Sequence, residues 1–134
     1  MGNYLLDSCA YVGLINTNDE HHTVCETFFL NHKDDNYYYS LHSFFEAKAV
    51  IAKEKRKGNF APYKPVCWNH RSLPIDKALI KECQRQELFL TFDHLCGADL
   101  IFACLAKING HTLVTCDKQF NQYKEIIDVI YLPK

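Results

Sequence analysis

Apolar and polar positions along this chain follow two periods, and the chain is organised around residues 98–120, ADLIFACLAKINGHTLVTCDKQF. The apolar run predicts a helix over Ala98–Asn109, stopped at Gly110 because glycine tolerates the left-handed conformation that ends helices. A strand over Thr112–Cys116 follows. The twelve helical residues rise about 18 Å at about 1.5 Å each. The five strand residues return about 16 Å at about 3.3 Å each. The two lengths nearly cancel, which predicts that Asp99 and Asp117 finish at one edge. In parallel α/β sheets that edge, beyond the strand C-termini, is where ligands bind.

The remaining pattern repeats the strand–helix alternation. Asn3–Leu6 reads as a first strand ended by Asp7 and Ser8, and Tyr11–Asn16 as a short helical turn. Glu20–Asn31 has Val24, Phe28 and Phe29 near helical spacing, with cap chemistry in Thr17-Asn18-Asp19. Tyr37–Ser40 reads as strand two, followed by a helix capped by Ser43 and running to about Lys57. Gly58–Pro74 reads as a loop with a turn around Trp68, and Ile75–Arg85 as a helix. The apolar LFLTF run within Glu87–Phe92 reads as strand three. Lys118–Lys124 predicts a short helix and Val129–Leu132 a last strand. Strands alternating with helices imply a parallel sheet covered on both faces. No repeat or low-complexity tract divides the chain, so 1–134 reads as a single domain.

Size and composition narrow the setting. The chain has 134 residues, 48% hydrophobic and 23% charged, with a formal net charge of −1. Those values suit a globular domain and neither favour nor disfavour a nucleic-acid partner. No apolar run approaches the roughly 20 residues of a membrane helix. The first residues lack a basic region and carry Asp7, unlike a signal peptide, and Leu6 breaks the myristoylation pattern. The seven cysteines are odd in number and form no CxxC pair, which reads as reduced thiols serving as small core residues. These features together predict a cytoplasmic protein without a membrane anchor.

Four carboxylates stand out: Asp7, Glu46, Asp99 and Asp117. Asp7 ends the first strand, and Glu46 follows the second by about one helical turn. Each has a structural explanation of its own. Asp7 caps a turn; Ser43 and Glu46 fit a capping box; Asp99 opposes a helix dipole; Asp117 bonds its own turn backbone. Four acids at one edge are a different matter. A carboxylate pair at 4 Å repels by about 1 kcal/mol even at the dielectric of bulk water, and a fold has no structural need for that. A divalent cation offsets the repulsion, since Mg²⁺ and Mn²⁺ prefer oxygen ligands. Such ions polarise phosphoryl oxygens and generate nucleophilic water, the chemistry of phosphodiester hydrolysis.

The order LLDS, a glutamate within SFFEAK, then ADLIFACLA, then LVTCDKQF resembles the PIN-domain ribonucleases, notably the small VapC-like toxins. The resemblance spans essentially the whole chain. It is carried most strongly by Asp99, Phe102, Ala103, Ala106, Gly110, Leu113, Thr115, Asp117 and Phe120. It implies a three-layer PIN-like α/β fold with a parallel five-strand sheet of order 3-2-1-4-5, and Mg²⁺- or Mn²⁺-dependent cleavage of RNA. Carried onto this chain, Asp7, Glu46, Asp99 and Asp117 become the catalytic and metal-holding quartet. Ser8 takes the small hydroxyl position after the first acid, and Thr115 orients the last loop. The family also implies a homodimer and an antitoxin partner. Two features depart from its pattern. Ala49 and Val50 replace the usual glycine after the glutamate, and the Gly58–Pro74 loop is atypical.

Lys48, Lys53, Lys55, Arg56, Lys57, Lys64 and Arg71, with Tyr63 and Trp68 nearby, make one stretch basic. It reads either as an RNA-guiding surface with stacking aromatics or as a solvated helix end and loop. Cys9, His94, Cys96 and Cys116 fall near the acidic edge at spacings of no standard zinc pattern. The nearly all-round apolar helix at 98–108 predicts one face packed on a second subunit. Two rival functions stay open. An aspartyl-nucleophile phosphatase wants an acid two residues after Asp7, where Cys9 stands. A catalytically silent PIN-like module would bind RNA or protein, and the intact quartet argues against it.

Overall fold

Strand β1 (Asn3–Leu6) runs through the middle of the molecule because its side chains have apolar neighbours on both faces. The computed structural model describes residues 2–63 and 70–134. Leu5 packs into one core cluster with Leu113, Phe102 and Phe92. Tyr4 and Leu6, pointing the other way, join a second cluster with Leu14, Phe29 and Val114. A strand buried on both faces belongs inside a helix-covered parallel sheet.

Chain order gives β1, α1 (Ser8–Ile15), α2 (His22–Asn31), β2 (Asn36–Ser40), α3 (Leu41–Arg56), β3 (His70–Leu73), α4 (Lys77–Arg85) and α5 (Leu88–Thr91). After these come α6 (Gly97–Asn109), β4 (Thr112–Thr115), a 3-10 helix over Lys118–Tyr123 and β5 (Val129–Tyr131). The five strands are ordered β3-β2-β1-β4-β5, and each neighbouring pair is parallel. In register, Leu5 lies between Tyr38 of β2 and Leu113 of β4. The three-layer α/β class and the strand order both hold.

The identity of the third strand does not. LFLTF forms a short helix, not a strand, and β3 is His70–Leu73, inside the segment expected to be loop. Burial explains the exchange. Leu88 and Phe92, four apart, are buried, whereas Phe89 and Leu90 between them are exposed, which is helical spacing rather than alternation. Strand β3 pairs on one side only, with β2. As an edge strand it needs little apolar surface, and only Leu73 of its four residues is buried.

Helix boundaries move where caps decide them. Ser40, not Ser43, caps α3: its Oγ accepts the Ser43 N–H at 2.9 Å, and Ser43 Oγ accepts the Ser40 N–H at 3.1 Å. Glu46 is therefore free of the capping box. Asp76 Oδ1 accepts the Leu79 N–H at 2.9 Å and starts α4 after Ile75 and Asp76. Gly110 ends α6 at φ 67°, in the left-handed region, as its position predicts. On α6, Phe102, Ala103, Cys104, Leu105 and Ala106 are buried, while Leu100, Ile101 and Ile108 pack against the same core only partly buried. The expected turn around Trp68, and Lys64, lie outside the described residues.

Candidate active site

Parallel strands deliver their C-terminal residues to one edge, and the acids arrive there by different routes. Asp7 directly follows β1 and caps α1, its Oδ1 accepting the Ala10 N–H at 2.9 Å. Asp117 follows β4 by two residues and caps the 3-10 helix. Asp99 lies in the first turn of α6, which runs back against the strands. Glu46 stands on α3, just beyond β2. All four line one open cleft of about 320 Å³ together with Ser8, Cys9, Val12, Asp19, Val50 and Phe102. Five carboxylates and no lysine or arginine line it among the described residues.

Asp7 is the most enclosed of these acids, 2% exposed. Its Oδ2 accepts the Thr115 hydroxyl at 2.5 Å, and the Cys9 thiol lies 3.7 Å away. Burial pushes the carboxyl up to about 6, although the bonds from Thr115, Ala10 and Cys9 pull it back; the Asp99 charge adds to the rise. Thr115, itself fully buried, also accepts the Asp117 N–H at 2.9 Å through the same Oγ1. One hydroxyl thus ties the acid after β1 to the loop after β4.

Asp99 and Asp117 meet through a residue that their sequence spacing does not announce. The Gln119 side-chain nitrogen donates to Asp99 Oδ2 at 2.7 Å and to Asp117 Oδ2 at 2.8 Å. Asp99 is half-buried, and burial raises its pKa; the Gln119 bond opposes the shift, while the Asp117 and Glu46 charges reinforce it. Glu46 Oε1 lies 2.5 Å from His42 Nε2, one helical turn away on α3. Ser8, expected to supply a small hydroxyl, lines the cleft with a buried Oγ that has no hydrogen-bond partner among the described residues.

The expected quartet therefore shares one cleft, with Ser8 in its wall and Thr115 behind it. The basic residues stand elsewhere. Lys48, Lys53, Lys55, Arg56 and Lys57 are all exposed and outside the lining. Lys53 and Lys57 lie seven and eleven residues beyond Glu46, about 10 to 16 Å down the helix axis, on the Glu46–Val50 stripe. Lys48 leans over the Phe44 ring instead, 5.2 Å from its centre. Three site residues escaped the sequence reading. Asp19 looked like cap chemistry, and it does accept the His21 N–H at 2.9 Å, yet it also lines the cleft. His42 was detectable as the i,i+4 partner of Glu46. Gln119 was detectable only as a polar residue two beyond Asp117.

The available donors are hard carboxylate and hydroxyl oxygens, the set that suits Mg²⁺ or Mn²⁺. Among the described residues no three His, Cys, Asp or Glu side chains stand as a ready metal-holding group. Asp99 and Asp117 are bridged by an amide, and Glu46 is turned to His42. A thiolate site fits less well. The Cys9 and Cys116 thiols are both pushed up, in each case first by a hydrogen bond with the next thiol: Cys116 for Cys9, Cys25 for Cys116. Of Cys9, His94, Cys96 and Cys116, only Cys9 lines the cleft among the described residues.

No family model matches the sequence, and no curated protein does. Solved structures do share its fold. One is a chain of the crystal structure of VapBC2 from Rickettsia felis bound to a DNA fragment from their promoter. It superposes with a TM-score of 0.64 at 15% identity, covering 96% of this chain and 98% of that one. Identity that low carries the architecture and not the chemistry. The chain has the PIN-like fold.

Proposed function

We propose that this protein is a metal-dependent endoribonuclease that hydrolyses RNA phosphodiester bonds, and that it is the toxin of a toxin–antitoxin pair. The observation that carries the reading is the convergence of five carboxylates on one cleft whose described walls hold no lysine or arginine. Such a cleft repels anions until a cation is supplied. Asp7, Glu46, Asp99 and Asp117 would hold Mg²⁺ or Mn²⁺, and the Ser8 hydroxyl, unpartnered among the described residues, supports a further oxygen contact in the same wall. When bound, the ion would polarise a phosphoryl oxygen and lower the pKa of water.

The chain's own residues have separate tasks in this reading. Thr115 fixes the Asp7 carboxylate and the Asp117 backbone in one register, so the two acids cannot drift apart. Asp7, with its pKa near 6, is ionised at neutral pH and accepts a cation there. Lys53, Lys55, Arg56 and Lys57 at the end of α3 guide the RNA backbone toward the acids, a long-range attraction that needs no direct contact with the cleft. The fold shared with a VapBC2 chain supports an antitoxin partner; a homodimer and a cytoplasmic setting are further parts of the same proposal.

The test is cleavage of a single-stranded RNA by the purified chain in Mn²⁺ or Mg²⁺, with EDTA and Asp99→Asn as controls. Cleavage lost in both controls is the expected result. A catalytically silent PIN-like module that binds RNA or protein is the reading favoured by the amide bridge across Asp99 and Asp117. RNA bound but left intact at millimolar metal would establish it.

A further inference from the structure

Gln119 occupies the ground between the two acids that a shared cation would have to touch. Its side-chain nitrogen donates to Asp99 Oδ2 at 2.7 Å and Asp117 Oδ2 at 2.8 Å. A primary amide nitrogen has two protons, and both are used. The orientation follows from the chemistry: turned over, the amide would set its oxygen against two carboxylate oxygens. The bridge also joins separate elements, since Asp99 belongs to α6 and Asp117 caps the 3-10 helix.

The backbone beneath Gln119 is held. Its N–H donates to Asp117 Oδ1 at 3.0 Å, and the next residue, Phe120, is fully buried in the core. The amide can leave the acids only by side-chain rotation. We propose that Gln119 is a positioning residue that competes with the divalent cation: its amide closes the Asp99–Asp117 pair in the metal-free chain and rotates out when a cation engages both carboxylates. The inference rests on the metal-dependent reading above. It makes metal affinity a difference between two states of the same acids, hydrogen-bonded to an amide or bound to an ion. The competition weakens binding and raises the metal concentration at which the site fills.

The test is titration of the purified chain with MnCl2 by calorimetry, alongside metal-free melting, for the unaltered protein, Gln119→Met and Gln119→Glu. Gln119→Met keeps the length and removes both donors. It should bind Mn²⁺ at least about tenfold tighter, the ratio expected from losing even one of the two charged hydrogen bonds in the metal-free state, and its metal-free Tm should fall. Gln119→Glu should melt lower still without metal and bind Mn²⁺ more tightly than the methionine variant. Unchanged affinity in Gln119→Met overturns the competition, and weaker affinity overturns it by making Gln119 a ligand. A gain confined to Gln119→Glu also overturns it, since added charge alone then explains the result. Mn²⁺ binding by the unaltered chain with no gain in Gln119→Met removes this inference and leaves the metal-dependent reading standing. No binding by any of the three proteins removes both.

Discussion

The Thr115 hydroxyl donates to Asp7 Oδ2 at 2.5 Å while its oxygen accepts the Asp117 N–H at 2.9 Å. A side chain at the end of β4 therefore sets the position of an acid that follows β1 and of one that follows β4 itself. Thr115→Val preserves the shape and removes the hydroxyl. It should destabilise the fold by about 1–3 kcal/mol, the range for leaving buried polar groups unpaired. Thr115→Ser should recover most of the loss, and urea denaturation of the three proteins compares them.

The Asp7 carboxyl gives a pH dependence of definite sign. Burial raises its pKa from 3.8 to about 6 in the folded chain. Between those values the folded state holds more protons than the unfolded state, so stability from this group falls as pH rises through the window. The penalty is complete above about pH 6 and is at most roughly 3 kcal/mol, two units at 1.36 kcal/mol each. Asp7→Asn should accordingly raise the metal-free Tm at pH 8, with the gain vanishing toward pH 4. A gain that grows on acidification would contradict the assignment.

Asp99 separates a structural role from a site role. Its pKa is raised, by burial first and by the Asp117 and Glu46 charges as well, so its ionised form opposes folding at neutral pH. Asp99→Asn should leave metal-free stability equal or higher while abolishing metal-dependent RNA cleavage. A purely helix-dipole role predicts a loss of about 0.3–1 kcal/mol instead. Thermal melting in EDTA distinguishes the two.

The basic end of α3 is testable by salt. Replacing Lys53, Lys55, Arg56 and Lys57 with serine should flatten the dependence of RNA affinity on salt concentration, by about 0.7 in log–log slope for each phosphate that is no longer neutralised. Metal-free stability should fall modestly, because Lys53, Lys55 and Arg56 sit in the last turn of α3, where cations complement the helix dipole, and Lys55 lies over the Phe60 ring. An unchanged slope assigns the run to solvation alone.

What could be seen in the sequence depended on whether a feature is local. Strands β1 and β4 were legible because Leu5, Leu6, Leu113 and Val114 are all buried, and a strand covered on both faces reads as a continuous apolar run. Strand β3 was not, because an edge strand of His70, Arg71, Ser72 and Leu73 carries no apolar alternation. LFLTF misled for the complementary reason: a short apolar run fits a strand or a buried helical turn equally, and only the burial of Leu88 with Phe92 decides. Asp7, Glu46, Asp99 and Asp117 were legible through their positions after strands or at a helix start. Gln119 was not, since its bridge exists only once α6 brings Asp99 beside the loop after β4.

Whether Asp7, Glu46, Asp99 and Asp117 together hold Mg²⁺ or Mn²⁺ is tested most directly by melting in Mn²⁺. A ligand that binds only the folded chain adds RT ln(1 + [L]/Kd) to its stability, about 2.7 kcal/mol at one hundred times Kd. The unaltered protein should melt progressively higher as Mn²⁺ rises to millimolar levels, and Asp7→Asn, Glu46→Gln, Asp99→Asn and Asp117→Asn should each reduce or abolish that rise. A Tm that stays flat in the unaltered protein, or that rises equally in all four variants, contradicts that reading.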